Sequence, residues 1–178
     1  MAKIALLIAS AGLATFAAAA LAQNGETVQT RQAMIDGVNP AALAIWDVTN
    51  AAMNDEGGLD PAKLDAEAWG KIEDGARMLE VYGNRMADAK AIVAGGPDLV
   101  SGEVPPGVAS KAQIQAMIDA NPDGFRAVAA DMAAQAASLA TAARSRNVTL
   151  AGELASGIDE ACQTCHTRYW YLQDAAGS

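Results

Sequence analysis

The sequence of 178 residues predicts an all-α protein, an antiparallel up-down four-helix bundle. Three observations predict it. Alanine is abundant, and apolar residues recur at spacings of three and four. Runs of β-branched residues are absent, so no strand is signalled, and no internal repeat is visible. Glycine and proline clusters cut the chain into four long amphipathic stretches with short or moderate connections.

A segment of different character comes first. Lys3 precedes the uncharged apolar run IALLIASAGLATFAAAA, and ALA at residues 20–22 supplies the small residues of a cleavage site. This reads as a secretory signal peptide over residues 1–22, cleaved between Ala22 and Gln23. An uncleaved anchor is the competing reading, because the run is nearly long enough to span a bilayer. The polar QNGET that follows favours cleavage. The expectation is therefore a periplasmic protein without stable membrane insertion, residues 23–178 forming one domain. That domain keeps 11 basic and 21 acidic side chains, a net charge of −10. Such an acidic surface argues against nucleic acid as a partner and permits docking to a basic protein.

The first helix is expected from about Thr27 to Met53, with Arg31, Met34, Ile35 and Val38 on one stripe and a kink or break at Gly37 and Asn39-Pro40. Asp60-Pro61 then offers an N-cap with proline in the first turn. The second helix carries Trp69, Ile72, Ala76, Leu79, Tyr82, Met86 and Val93. AGGPDLVSGEVPPG, with four glycines and three prolines, ends it as a long irregular connection inside the domain. A short amphipathic piece covers Ser110 to Ala120. Asn121-Pro122 opens the third long helix, with Phe125, Val128, Met132, Ala136, Leu139 and Ala143 inward and RSRN at its end. A fourth helix is expected from Val148 to Asp174. Met78, Met86, Met117 and Met132 read as core filler.

The chemistry concentrates near the end of the chain. ACQTCHTRYW, residues 161–170, holds both cysteines, Cys162 and Cys165, and the only histidine, His166. A disulfide closing so small a loop would constrain the unfolded chain little. A thioredoxin-like pair needs a βαβ setting and a helix N-terminus, and this pair lies deep in a helix. Zinc needs four ligands, and three are present. Covalent attachment of one haem c uses all three residues: two thiols on one helix face can form thioethers with one porphyrin, and His166 one turn on can ligate its iron. Ile158, Cys162, Cys165, His166 and Tyr169 form one stripe pointing into the bundle. Without haem, that stripe should border an apolar cavity.

A CxxCH motif at the C-terminal end of a four-helix bundle resembles class II cytochromes c, the cytochrome c′ group and its low-spin methionine-ligated relatives. The resemblance covers the mature chain by helix order and implies an electron or gas-binding role. In that family the first helix faces the iron's sixth position. Thr30 to Met34 match the T-x-x-x-M spacing of the methionine-ligated branch. Arg31 and Ile35 match the five-coordinate branch, an arginine followed four residues later by a blocking apolar group. Met34 is the preferred distal ligand, because a thioether within reach of haem iron usually binds it. Arg31 could pair with a haem propionate or stay at the surface. Tyr169 matches the family's aromatic packed on the porphyrin. Trp170 stands where the family carries a basic residue, and Arg168 is the nearest basic side chain. Family members are often dimers through the first and second helices, which extends the resemblance to a homodimer.

The leading expectation is a mono-haem electron carrier meeting redox partner proteins, with His166 and Met34 as axial ligands. A five-coordinate protein binding NO or CO, with Ile35 lining the distal pocket, is one alternative. A haem-bearing accessory subunit of a redox complex is another. An enzyme is not expected, since a single histidine leaves acid–base catalysis few tools.

Overall fold

The structure is a computed structural model, and it describes residues 25–97 and 106–172. The expected signal peptide, the centre of the Gly/Pro connection and residues 173–178 lie outside the described residues.

Strand β1 (Thr27–Gln29) leads into α1 (Thr30–Ala33), a π-helical segment (Met34–Val38) and α2 (Asn39–Ala52). The last three form one rod, because Met34 (φ −62°, ψ −45°) and Asn39 (φ −64°, ψ −49°) keep right-handed helical backbone at the joints. After it come α3 (Ala66–Ala87), strand β2 (Ala91–Val93), the short α4 (Lys111–Ala120), α5 (Pro122–Arg144) and α6 (Val148–Tyr169). The first rod, α3, α5 and α6 are the four helices of the bundle. Going round it, α2 packs on α3, α3 most extensively on α5, and α5 on α6, while α6 and α2 touch least.

Local chemistry starts α3, α4, α5 and α6. Ala68 N–H donates to Asp65 Oδ1 (2.8 Å), Gly124 N–H to Asn121 Oδ1 (2.9 Å) and Leu150 N–H to Asn147 Oδ1 (3.2 Å), each satisfying a helix-start donor. Ser110 and Gln113 close a reciprocal capping box on α4. Pro122 sits in the first turn of α5, where its missing donor is not needed.

Small residues let the rods approach. A Cβ on Gly83 would lie 2.9 Å from both Ala129 O and Ala133 Cβ, so α3 meets α5 there with no room for a side chain. A Cβ on Gly75 would lie 2.9 Å from Ala41 O. Between these close points Ile45, Ile72, Leu79, Leu139 and Ile158 are fully buried. Their burial is the main stabilisation, roughly 1.5–3 kcal/mol for each side chain. Glu73 accepts from Arg77 and from Arg144 (3.0 Å), tying α3 to α5 at the surface.

Several expectations are corrected. Residues 27–29 are not helical: β1 pairs in parallel with β2, Val28 opposite Ile92. Val93 therefore leaves the second-helix stripe, which ends at Ala87, and lies exposed on the short sheet. The first rod does not break at Asn39-Pro40. Asn39 N–H donates to Met34 O five residues back, and this wide turn absorbs the donor that Pro40 lacks. Asp60 caps only a 3₁₀ turn (Pro61–Lys63); Asp65 caps the helix. α6 ends at Tyr169, not Asp174. Met78 is exposed rather than core.

The close approach at Gly83 makes a signed prediction. Gly83→Ala should destabilise by about 1–3 kcal/mol through overpacking, despite alanine's better helix propensity. Gly70→Ala, with nothing within 4 Å of its added Cβ, should stabilise by about 0.5–1 kcal/mol. Urea unfolding midpoints should move in opposite directions, and a rise in both would refute a packed-out contact at residue 83.

Candidate functional site

The register of α6 is set by its Asn147 cap and by Ala151, Ala155 and Ile158, all buried against the neighbouring helices. Continuing that face by 3.6 residues per turn brings Cys162 inward, then Cys165 and His166. All three are half-buried. They end on a cavity, as the stripe predicted, and every rod of the bundle contributes to its wall. The first rod supplies Met34, Val38, Ala42 and Trp46, with Asn39 beside them; α3 supplies Met86. Phe125, Val128, Ala129 and Met132 come from α5, and Ala161 joins the motif residues from α6. Among the described residues, Asn39 and His166 are the only lining side chains with nitrogen or oxygen, apart from the indole of Trp46.

Burial sets the protonation of the site. It raises the Cys162 thiol, with the charge of Asp159 adding to it. It pushes Cys165 up to about 11, with Cys162 adding and Arg168 opposing. Neither cysteine is in a disulfide, so both are neutral S–H groups near pH 7. Burial also lowers His166, leaving a neutral imidazole with a lone pair to give. The ring is flanked by Trp170 at 6.1 Å and Tyr171 at 6.3 Å between centroids. These aromatics are partly buried, and the backbone holds them: Ala109 N–H donates to Trp170 O (2.9 Å) and Leu172 N–H to Gly107 O (2.9 Å).

These residues suit haem c. Two neutral thiols and a neutral imidazole share an apolar wall with a thioether from another helix, which matches a covalently held porphyrin and its iron. Among the described residues no three His, Cys, Asp or Glu side chains gather in a group able to hold a metal ion. The cavity offers about 60 Å³ to the centre of a water-sized sphere, within about 550 Å³ of space free of protein atoms and partly open to solvent. The cavity lies where the first rod and α6 face each other, beside the sparsest of the bundle's neighbouring helix pairs.

The site residues named from sequence divide into two groups. Met34, Cys162, Cys165 and His166 meet in one cavity wall. Ile35, Arg31 and Tyr169 are not part of it. Ile35 is 43 % exposed. Arg31 is half-buried, its backbone N–H donates to Gly95 O (3.1 Å), and its buried Nε has no hydrogen-bond partner among the described residues. Tyr169 is buried behind Phe125, edge-on at 5.1 Å, and its hydroxyl donates to Asn121 O (3.3 Å). Trp46, Met86 and Met132 were not singled out as cavity residues. Trp46 could have been, since Val38, Ala42 and Trp46 extend the first-helix stripe at spacings of four.

No helix among the described residues is long and apolar enough to cross a membrane. No curated protein and no solved structure matches the chain. The family model described as Cytochrome C' matches residues 26–170, from the start of β1 to the end of the CxxCH helix. The chain thus belongs to the cytochrome c′ family, a four-helix-bundle haem c cytochrome whose CxxCH cysteines are Cys162 and Cys165.

Proposed function

We propose that the chain is a periplasmic electron carrier in which His166 and Met34 are the axial ligands and Cys162 and Cys165 the thioether anchors. When bound, haem c supplies a one-electron iron couple. The protein's part is to hold it. Cys162 and Cys165 would hold it through two thioethers, each S–H adding across one vinyl group. The neutral imidazole of His166 has its lone pair free for iron, and the surrounding apolar wall limits water.

One observation carries the distal assignment: Met34 lines the same cavity as His166, while Ile35, the blocking group of the five-coordinate alternative, is exposed. Met86 and Met132 also border the cavity, but both are buried in core packing, whereas Met34 is half-buried at the start of the first rod. Two ligands held by a close-packed bundle keep the iron's surroundings alike in both oxidation states, which favours electron exchange. Arg31, with an unsatisfied buried Nε near the start of the same rod, suits a propionate of the bound haem. The signal-like N-terminus supports the periplasmic assignment.

The ligand set is tested by spectroscopy of the mature holoprotein. Wild type should be low-spin, show the sulfur-to-iron charge-transfer band when oxidised, and ignore carbon monoxide when reduced. Met34→Leu should lose the band and bind one carbon monoxide per haem, whereas Met86→Leu and Met132→Leu should retain the wild-type spectrum at a stability change below about 1.5 kcal/mol. A wild type that already binds carbon monoxide would transfer the assignment to gas binding.

Attachment gives a separate prediction. Cys162→Ala and Cys165→Ala should each keep haem through one thioether, and the double variant should release all of it to acidified organic solvent. Haem resistant to extraction in the double variant would refute these anchors.

A further inference from the structure

Helix α1 begins without a side-chain cap: Gln29 precedes it and makes no capping hydrogen bond. One of the open donors is met from elsewhere in the chain, Arg31 N–H donating to Gly95 O at 3.1 Å. Gly95 follows β2, which lies parallel to β1 with Thr27, Val28 and Gln29 opposite Ala91, Ile92 and Val93. Gly96 comes so close that a Cβ there would stand 2.8 Å from Gln32 N, and its φ of +122° suits glycine. The first turn of α1, with Arg31 three residues before Met34, is thus located by the segment 91–96.

That segment is itself held by two side chains of α4, Gln115 and Lys111. Gln115 of α4 behaves toward β2 as a neighbouring strand would. Its Oε1 accepts from Ala94 N–H at 2.8 Å, and its Nε2 donates to Ile92 O at 3.2 Å and to Asp119 Oδ1 at 2.8 Å. The amide pairs backbone groups of β2 and its continuation that β1 does not reach. From the same helix, Lys111 Nζ donates to Gly96 O at 2.8 Å. Hydrogen bonds therefore run without a gap from α4, through the strand and Gly95, to the first turn of the rod that carries Met34.

We infer that Gln115 is a positioning residue for the distal side of the site, fixing through β2 and Gly95 where Met34 stands along the axis of the first rod; this rests on Met34 being the distal ligand. Losing both ends of the amide frees the 91–96 segment, and the Met34 thioether then leaves iron more readily.

The test compares holoprotein variants by the oxidised sulfur-to-iron band, by the rate of carbon monoxide binding in the reduced state, and by unfolding midpoint. Gln115→Leu should weaken the band and speed carbon monoxide binding roughly tenfold, as loss of paired backbone contacts implies. Gln115→Glu keeps an acceptor for Ala94 N–H but sets a carboxylate against Ile92 O and the Asp119 carboxylate, so it should shift band and rate at least as far as the leucine variant. It serves the same comparison if the leucine variant does not fold. Ser110→Ala removes the cap of α4 and leaves the Gln115 amide, so it should lower the unfolding midpoint while band and rate stay at wild-type values. Gln115 variants that lose stability yet keep the wild-type band and rate overturn the inference. A Ser110→Ala variant that shifts both as far as Gln115→Leu does also overturns it, since the effect would then be loss of α4 alone. A wild type already reactive with carbon monoxide and lacking the band removes the Met34 assignment and the inference with it, a result distinct from a low-spin wild type with unresponsive Gln115 variants.

Discussion

The close approach of α3 and α5 is the contact on which the rest of the bundle depends. Gly83 meets Ala129 and Ala133 with no space for a Cβ, and it is between these helices that the bundle packs most extensively. The contact does more than close the core. Ala129, pressed on Gly83, also forms part of the cavity wall, and Met86, one turn beyond Gly83, faces the same space. Small residues at the crossing and bulkier Met86, Phe125 and Met132 beside it give a wall that is rigid where α3 meets α5. The opposite side is different. α2 and α6 touch least; α6 carries His166, and the π-helical segment that leads into α2 carries Met34, the two halves of the proposed ligand set. The bundle is tight between α3 and α5 and sparse between α2 and α6.

Burying the CxxCH residues in such a wall has a chemical consequence. In water a thiol and an imidazole each stand near their switching range at neutral pH; here desolvation moves all three the same way, toward the uncharged form. A thiolate would be more nucleophilic toward oxidants and disulfides. Burial thus keeps both thiols protonated and His166 neutral, and a neutral imidazole is the form that ligates a metal.

Most of the bundle was legible in the sequence because helices declare themselves through period and caps. The start of α5 at Asn121-Pro122 and the inward face of Phe125, Met132, Ala136 and Leu139 could be read directly. So could the inward stripe of Cys162, Cys165 and His166. What stayed hidden was hidden for physical reasons. A strand of three residues, Thr27–Gln29, is too short to show alternation, and its partner at 91–93 is supplied by long-range folding. Met86 and Met132 could not be told from core filler, since a cavity wall and a core face have the same apolar pattern. Tyr169 lies on the stripe, yet its ring packs edge-on against Phe125, which lines the cavity in its place, a contact that spacing along one helix cannot reveal.

The sharpest ambiguity in the sequence, Met34 against Ile35, turns on the π-helical segment. In an unbroken α-helix each residue turns about 100°, so counting eleven residues back from Trp46 returns to nearly the same face, about 20° away. That position is Ile35. Met34, twelve back, would lie about 120° from Trp46 and away from the cavity. A π turn holds one more residue than an α turn, so residues before it are shifted by one place relative to those after it. The segment Met34–Val38 makes that shift, and Met34 takes the direction that Ile35 would have had. The observed wall agrees: Met34, Val38, Ala42 and Trp46 line it together, and Ile35 faces out. Gly37 accommodates the turn, because any Cβ there would run into the ring of Tyr82. Pro40 follows at once, where an α-helical ladder would have lacked a donor in any case. One extra residue in one turn therefore decides which of two adjacent side chains, a thioether or a hydrocarbon, looks toward His166.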